Sequence, residues 1–423
     1  MAKNTLKWLA LLGGVALGTA SMAVAQDSGA LLDALVRKGV LTDQEAEDIR
    51  VDLTRDFSTF VVPGAKSVNS LTIKGRMQAQ FVALSTNVEN AADPVSTQHF
   101  LLRRIYLGTK AQLVGDFTAN LNFDFAGLTF DEAFIHWGGN EWLGTDVGFR
   151  KAPIGLEEWG TSSGKLKAIE RSPVTRYFVE GNNGRRLGAG SYRQGVFVGR
   201  DAKTGFTYTV AATNAERDES AAGAAATGGA TNNNFAFWAN VGYAGKFGEE
   251  GANGYKVGAS YGLLPDQGGR GNTNLGKGED IKVYSVYGGL DVGSFSLIGE
   301  FWGAKVDSGA DAPAPAGTDA SPTGFYLQPS YKFTEKLEGV VRFSYVDSDG
   351  RGVNLSDGVR SAPSGGTMNK MSELYIGGNW YIQGDDVKLQ LGYIAAKSED
   401  SVSGASGPEA KSYGLRAQMQ VQF

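Results

Sequence analysis

From Lys411 to Phe423 the side chains alternate without a break. Tyr413, Leu415, Ala417, Met419, Val421 and Phe423 fall on one parity, and Ser412, Gly414, Arg416, Gln418, Gln420 and Gln422 on the other. A strand sends successive side chains to opposite faces, so this segment has one apolar face and one wet face. The alternation recurs upstream. Leu71, Ile73, Met77, Ala79 and Phe81 oppose Thr72, Lys74, Arg76, Gln78 and Gln80. Phe117, Ala119, Leu121, Phe123 and Phe125 oppose Thr118, Asn120, Asn122 and Asp124. Leu337, Val341, Phe343 and Tyr345 oppose Lys336, Glu338, Arg342 and Ser344. Each run is about ten residues, the length a tilted strand needs to cross the hydrocarbon layer. Lipid outside and water inside a closed barrel asks for such two-faced strands.

Sixteen runs qualify as strands, over 70–84, 98–113, 117–126, 128–138, 143–151, 186–200, 205–213, 234–247, 254–264, 281–291, 295–305, 324–333, 336–347, 370–383, 387–397 and 411–423. Their connections alternate between short and long. Those at 114–116, 201–204, 334–335 and 383–386 are tight, whereas 152–185, 214–233, 265–280, 306–323, 348–369 and 398–410 are long. The connection near 126–128 is short on the long-loop side. An even strand number with short turns at one rim and long loops at the other is the pattern of an outer-membrane barrel. With both termini periplasmic, the long loops face outside. The expected fold is all-β: a transmembrane antiparallel barrel of about 16 strands, with a short N-terminal helical segment. A soluble propeller or sandwich would also show short strands and Gly-rich turns.

Composition and the N-terminus separate these. The chain has 60 Gly, 22 Phe, 16 Tyr and 7 Trp among 423 residues, with no collagen-like period. That suits tight neighbours and aromatic girdles. Lys3 and Lys7 precede an apolar run from Trp8 to Gly18, and Ala23-Val-Ala25 reads as a cleavage site. Residues 1–25 are therefore expected to be a signal peptide, the alternative being a retained anchor helix. Residues 26–57 read as helical. Leu31, Leu32, Leu35 and Val36 share a face, and Thr42 with Glu45 forms a capping box. Such short helices are marginal alone. The segment is either a periplasmic coiled coil or tether, with possible cell-wall contact, or a leader without function. Residues 58–69 form a linker, and 70–423 the barrel. No later run of about 18 apolar residues exists, which excludes helical spans. The chain has no cysteine, hence no disulfide framework or thiolate metal site.

The longest early connection is also the most basic. Lys165, Lys167, Arg171, Arg176, Arg185, Arg186 and Arg193 face only Glu170 and Glu180 over that stretch, which follows a strand ending in Arg150 and Lys151. Folded into a wide lumen, the loop 152–185 would set the bore and its field, since rings of Arg and Lys are what anion pores require. Left outside, it would be a solvated basic surface loop.

The stretch Gly148-Phe-Arg-Lys-Ala-Pro-Ile-Gly-Leu-Glu-Glu158 resembles the phosphate-selective porin O/P family. So do Thr161-Ser-Ser163, Ile169-Glu-Arg-Ser172, Gly184-Arg-Arg-Leu-Gly188, Arg103-Arg-Ile-Tyr-Leu-Gly108 and Asp131-Glu-Ala-Phe-Ile135. The terminal Phe423 resembles the C-terminal signal of bacterial outer-membrane barrels. The resemblance implies a sixteen-stranded outer-membrane porin, usually trimeric, whose third loop folds into the channel and whose arginines line the path of phosphate. Arg171, Arg185 and Arg186 occupy the matching positions. Arg176, Lys165, Lys167 and Arg150 join them on charge alone. The chain lacks the family's dense run of alternating arginines in that loop.

Parity supplies the wall. Lys74, Arg76, Arg104, Arg150, Arg186, Arg342, Lys388 and Arg416 sit on the polar parity of their strands, as do Asp124, Glu132, Glu300 and Glu338. A charge facing lipid costs about 2–4 kcal/mol near the midplane, so these point inward, as anion contacts or as ion pairs across the lumen. Catalysis by a histidine triad would have to use His99 or His136, and no hydrolase, zinc-protease or P-loop motif is present. Val346-Asp-Ser-Asp-Gly350 fits ordinary turn chemistry or a cation. The sequence thus points to a passive outer-membrane porin preferring small anions such as phosphate, and not to an enzyme. The expected partners are membrane lipid and lipopolysaccharide and two further copies in a homotrimer, with no cofactor and no nucleic acid. A general or sugar-permeable porin and a structural outer-membrane anchor are the alternatives.

Overall fold

The computed structural model describes residues 59–60, 67–90, 93–140, 142–215, 234–267, 278–309, 319–402 and 407–423. The expected signal peptide, the helical segment and most of the linker lie outside them. The chain falls into two units. In Met1–Pro63 with Ser70–Thr72, Thr59 and Phe60 pair antiparallel with Thr72 and Leu71. Gly64–Asn69 with Ile73–Phe423 is a closed β-barrel.

Sixteen strands build the barrel: β1 (Val68–Val88), β2 (Val95–Leu113), β3 (Phe117–Asp124), β4 (Thr129–Asn140), β5 (Leu143–Lys151), β6 (Tyr192–Arg200), β7 (Gly205–Asn214) and β8 (Phe235–Phe247), then β9 (Asn253–Gln267), β10 (Glu279–Val292), β11 (Phe295–Asp307), β12 (Thr323–Lys332), β13 (Leu337–Asp347), β14 (Met368–Gln383), β15 (Val387–Ser401) and β16 (Glu409–Gln422). Each strand pairs with its sequence neighbours. The sheet closes where β16 runs antiparallel to β1, from Ala410 opposite Val88 to Gln422 opposite Arg76. A closed sheet leaves no open edge, which a lipid environment requires. Tight turns are made where the backbone can turn left-handed, as at Gly115 (φ 71°) and Asp116 (φ 62°) between β2 and β3.

The alternation sorts as the sequence implies. Tyr413, Leu415 and Met419 are exposed on the outer face, and Ser412, Arg416, Gln418 and Gln420 are buried inside. Toward the long-connection end, however, the inward positions turn apolar. Val82, Leu84, Ile281, Val283, Trp302, Val306, Val346 and Met371 are buried and cluster together. The lumen is therefore wet at one level and an apolar core at another.

Strand bounds follow the expected spans closely, with one exception. The strand expected over 186–200 begins at Tyr192. Residues 187–189 bond to a helix instead: Leu187 N–H donates to Tyr177 O (3.0 Å), Gly188 to Glu180 O (3.1 Å) and Ala189 to Phe178 O (2.8 Å). Gly184 and Gly188, at φ 88° and 67°, turn the chain away from the wall. Arg186 therefore belongs to this inward segment and not to a strand face.

Candidate functional site

The chain between β5 and β6 lies inside the barrel, and its local chemistry explains how it is held. A short π-helical turn, Gly155–Trp159, comes first. Its opening N–H groups lack helical partners and donate to a wall carboxylate: Leu156 N to Glu300 Oε1 (2.7 Å) and Glu157 N to Glu300 Oε2 (3.3 Å). Gly155 sits at φ 76°, and a Cβ there would lie 2.3 Å from Trp302. Next, Gln78, Gln420, Lys388 and Gln390 donate from the wall to backbone carbonyls of Ser163, Gly164, Leu166 and Lys167. These amides also bond to one another. Gln78 reaches Gln420 (2.6 Å), Gln80 reaches Gln418 (2.8 Å), Gln418 reaches Gln390 (2.7 Å) and Gln390 reaches Asn379 (2.9 Å). Helix α1 (Pro173–Val179) follows. Ser172 caps it by accepting from Thr175 N (3.1 Å), and Pro173 fits the first helical position, whose N–H would have no partner. Val174, Tyr177, Phe178 and Val179 are buried in the apolar part of the lumen. Such side chains are worth about 1.5–3 kcal/mol each.

A second inward segment was not visible in the sequence. The β13–β14 connection carries the short helix α2 (Leu355–Gly358), which packs on α1. Arg176 Nη1 donates to Gly358 O at 2.7 Å.

The expected cationic residues divide by partner. Arg171 pairs with Glu158 (2.8 Å), Arg176 with Glu180 (2.9 Å), Arg185 with Asp357 (2.7 Å), Arg186 with Glu180 (2.9 Å) and Lys167 with Glu338 (2.9 Å). On the wall, Arg342 pairs with Glu373 (2.9 Å), Lys388 with Asp385 (2.9 Å) and Arg150 with Asp146. Among the described residues, Lys74, Arg76, Arg104, Lys165 and Arg416 have no carboxylate within 4.0 Å of their charged nitrogens. Arg416 donates to Gln80 Oε1 (2.8 Å) and to Arg360 O. Arg104 donates to Gln78 Oε1 (2.7 Å) and is 3 % exposed. Arg76 donates to the hydroxyls of Ser162 (3.2 Å) and Ser163 (3.1 Å) and lies over the Tyr106 ring. Lys165 is exposed.

Arg76, Lys74, Ser162, Ser163, Tyr106 and Tyr192 face a cavity of about 390 Å³, with Asp131 and Glu132 also on its lining. Glu132, Lys151 and Trp159 also line a larger cavity of about 710 Å³ between the inward segment and β2–β10. A small hydrated anion fits either. Phosphate or carboxylate oxygens suit guanidinium and hydroxyl donors.

Sequence reasoning missed the counter-charges Glu157, Glu158, Asp357 and Glu373, and the cations Arg103, Arg351 and Arg360. Arg103 pairs with Glu170 at 2.7 Å, Arg360 with Glu170 and Glu180, and Arg351 with Glu279. The adjacent Glu157-Glu158 pair was a signal, as was the Asn354-to-Asp357 capping spacing. Neither histidine lies in the inward segment. His136 Nδ1 meets Asp146 Oδ1 at 2.6 Å and His99 Nδ1 meets Thr97 Oγ1 at 3.2 Å. In the 346–350 turn, Asp347 Oδ1 accepts from Asp349 N (3.0 Å) and Asn369 Nδ2 (3.3 Å).

A closed sixteen-stranded barrel with a segment folded into its lumen defines an outer-membrane porin. A sequence profile described as phosphate-selective porin O and P matches residues 71–423, and the chain belongs to that family. The protein is thus a β-barrel channel of the bacterial outer membrane. Solved structures agree on the fold. The anion-selective porin from Comamonas acidovorans superposes with a TM-score of 0.54 at 12% identity, covering 84% of this chain and 99% of that one. Pseudomonas putida OprB gives 0.55 at 11% identity, covering 83% and 94%. Salmonella typhi OmpF, in complex with daunomycin, gives 0.51 at 12% identity, covering 84% and 98%. Among curated proteins, no match to the chain is found.

Proposed function

We propose that this porin passes small anions passively, with phosphate the leading candidate. The observation that carries the reading is Arg76, a guanidinium without a carboxylate partner, on a cavity lining it shares with Lys74, Lys151 and two serine hydroxyls as well as Asp131 and Glu132, with the buried Arg104 bonded to Gln78 behind it. A guanidinium about 8 Å from a passing ion contributes roughly 2 kcal/mol at an effective dielectric near 20, before screening. That bias favours anions and costs no energy input. The family's name and the anion-selective porin among the structural neighbours support the same reading. Arg171, Arg176, Arg185, Arg186, Lys165, Lys167 and Arg150, with Arg342 and Arg416 on the wall, complete the proposed pathway. Paired residues there shape the bore and the local dipoles more than the net field. We also propose a secreted, signal-bearing precursor, a homotrimer, long loops facing outside into lipopolysaccharide, and a periplasmic role for 26–57.

One observation favours a second reading, a general porin of weak selectivity. Arg171, Arg176, Arg185 and Arg186 each meet a carboxylate. The reversal potential in asymmetric KCl separates the two. Anion-over-cation permeability that falls several-fold in Arg76→Gln supports the first. Near-unit selectivity, unchanged by that substitution, supports the second. Absence of channels would leave the structural anchor.

A further inference from the structure

The carboxylate that meets Arg185 and Arg186 comes from a different loop, and its geometry makes it more than a bystander. Asp357 is 2 % exposed and sits in α2 of the β13–β14 connection. Its Oδ2 accepts from Arg185 Nε (2.7 Å) and from Asn354 N (2.9 Å). Its Oδ1 accepts from Asn183 Nδ2 (2.9 Å) and Arg185 Nη2 (3.4 Å), with Arg186 Nε at 3.9 Å. The backbone around it is fixed as well. Arg351 Nε donates to Arg185 O (2.7 Å), and its guanidinium pairs with Glu279 on β10. One buried carboxylate thus joins the family-motif arginines to a second inward loop. Arg185 Nε and Nη2 both face Asp357, the side-on two-point geometry that would otherwise take a phosphate or carboxylate.

Resting on the anion-porin reading, we propose that Asp357 is a selectivity-setting residue. It occupies the anion-binding edge of Arg185 and screens Arg186, so that this arginine pair stays silent toward passing oxyanions while the β13–β14 connection is docked. The ligand class excluded is a small oxyanion presenting two oxygens to one guanidinium. When the carboxylate is removed, the freed edge of Arg185 becomes an oxyanion site, with Arg186 beside it still held by Glu180 (2.9 Å).

The test uses the full-length barrel in planar bilayers, with inorganic phosphate as a blocker of chloride current. Four forms are compared: native, Asp357→Asn, Arg185→Gln with Arg186→Gln, and the triple variant. Asn keeps an oxygen for the Asn354 N–H, removes the charge and puts an amide donor where Oδ1 accepted from Asn183 and Arg185. Phosphate should block Asp357→Asn at roughly three- to tenfold lower concentration than native. The gain should vanish in the triple variant. If the gain persists without the two arginines, Asp357 acts as an isolated charge and the proposal falls. If Asp357→Asn does not change block, it falls also. Should that variant fail to form channels, Asp357→Ser, whose hydroxyl can take the same cap bond, carries the comparison. The coupling is a difference among variants. It is therefore read independently of the native reversal potential, which tests the anion-porin reading itself.

Discussion

Replacing Glu170 with Ala should be among the most damaging changes to the lumen. Its carboxylate pairs with Arg103 (2.7 Å) and Arg360 (3.6 Å) and accepts from Gln80 (2.9 Å). Removing one member of a buried pair leaves an uncompensated charge, which costs about 3–5 kcal/mol. Denaturant midpoints of the folded barrel would register that loss, and an unchanged midpoint would show the network to be solvated. Glu180 gives a pH prediction. Burial opposes its ionised form, but the Arg176 and Arg360 guanidiniums outweigh this and hold it down to about 2. A carboxyl lowered on folding stabilises fully above its ordinary value and loses that contribution as pH falls through the lowered one. The Glu180-dependent part of ion selectivity, read as the difference between native and Glu180→Gln channels, should therefore be flat from about pH 8 to about pH 5. It should shift toward anions only as Glu180 protonates near pH 2 and releases Arg176, Arg186 and Arg360. A shift near neutral pH that Glu180→Gln abolishes would contradict this pairing. The sequence showed the cations and the nearby Glu180 but not the pairs made between loops and wall, because Arg185–Asp357 and Lys167–Glu338 join residues far apart with no local signal.

At the level of single elements, the entry to the inward segment depends on one backbone. Gly155→Ala would place a Cβ 2.3 Å from Trp302 and 2.8 Å from Glu300 Oε1 at φ 76°. A non-Gly residue in such a conformation costs about 1–3 kcal/mol, and the backbone here cannot move aside without losing its bonds to Glu300. Single-channel conductance should become heterogeneous as the segment loses its seat, whereas native-like uniform openings would refute the anchoring. The strands themselves were legible, since period-two alternation is a local signal and lipid enforces it on the outer face. Two exceptions share a cause. Val82, Leu84 and Val283 lie on inward parities yet are apolar, and residues 186–191 read as strand yet turn inward. Each is decided inside the lumen, the former by the apolar cluster that α1 joins and the latter by backbone bonds to α1, tertiary partners that alternation cannot report.

For the molecule as a whole, the proposed orientation puts the long connections outside the cell and the short turns in the periplasm. With no native cysteine, single cysteines report cleanly. A cysteine at the exposed Asp319, on a long connection, should react with an impermeant reagent on intact cells. One at the exposed Lys203, on a short turn, should react only after the envelope is opened. The reverse pattern would invert the orientation. The polar interior and apolar exterior were both foreseeable from composition and parity. That the interior would be bound together by salt bridges and an amide belt was not, because that depends on how the lumen is filled.

The seam between β16 and β1 sets the order of events in assembly. Gln80 and Gln418, and Gln78 and Gln420, meet across it, and Phe423 exchanges two backbone bonds with Gly75. Every other neighbouring pair of strands joins segments adjacent in the chain, but this one joins its two ends. Until it forms, both borders offer unpaired N–H and C=O groups to any passing strand. The amide belt also remains split, so the inward segment has only part of its anchorage. Closing the sheet and completing the belt are thus one step, and a barrel halted before it would be open-edged, with its inward segment still held by Glu300, Arg342, Lys388 and Gln390.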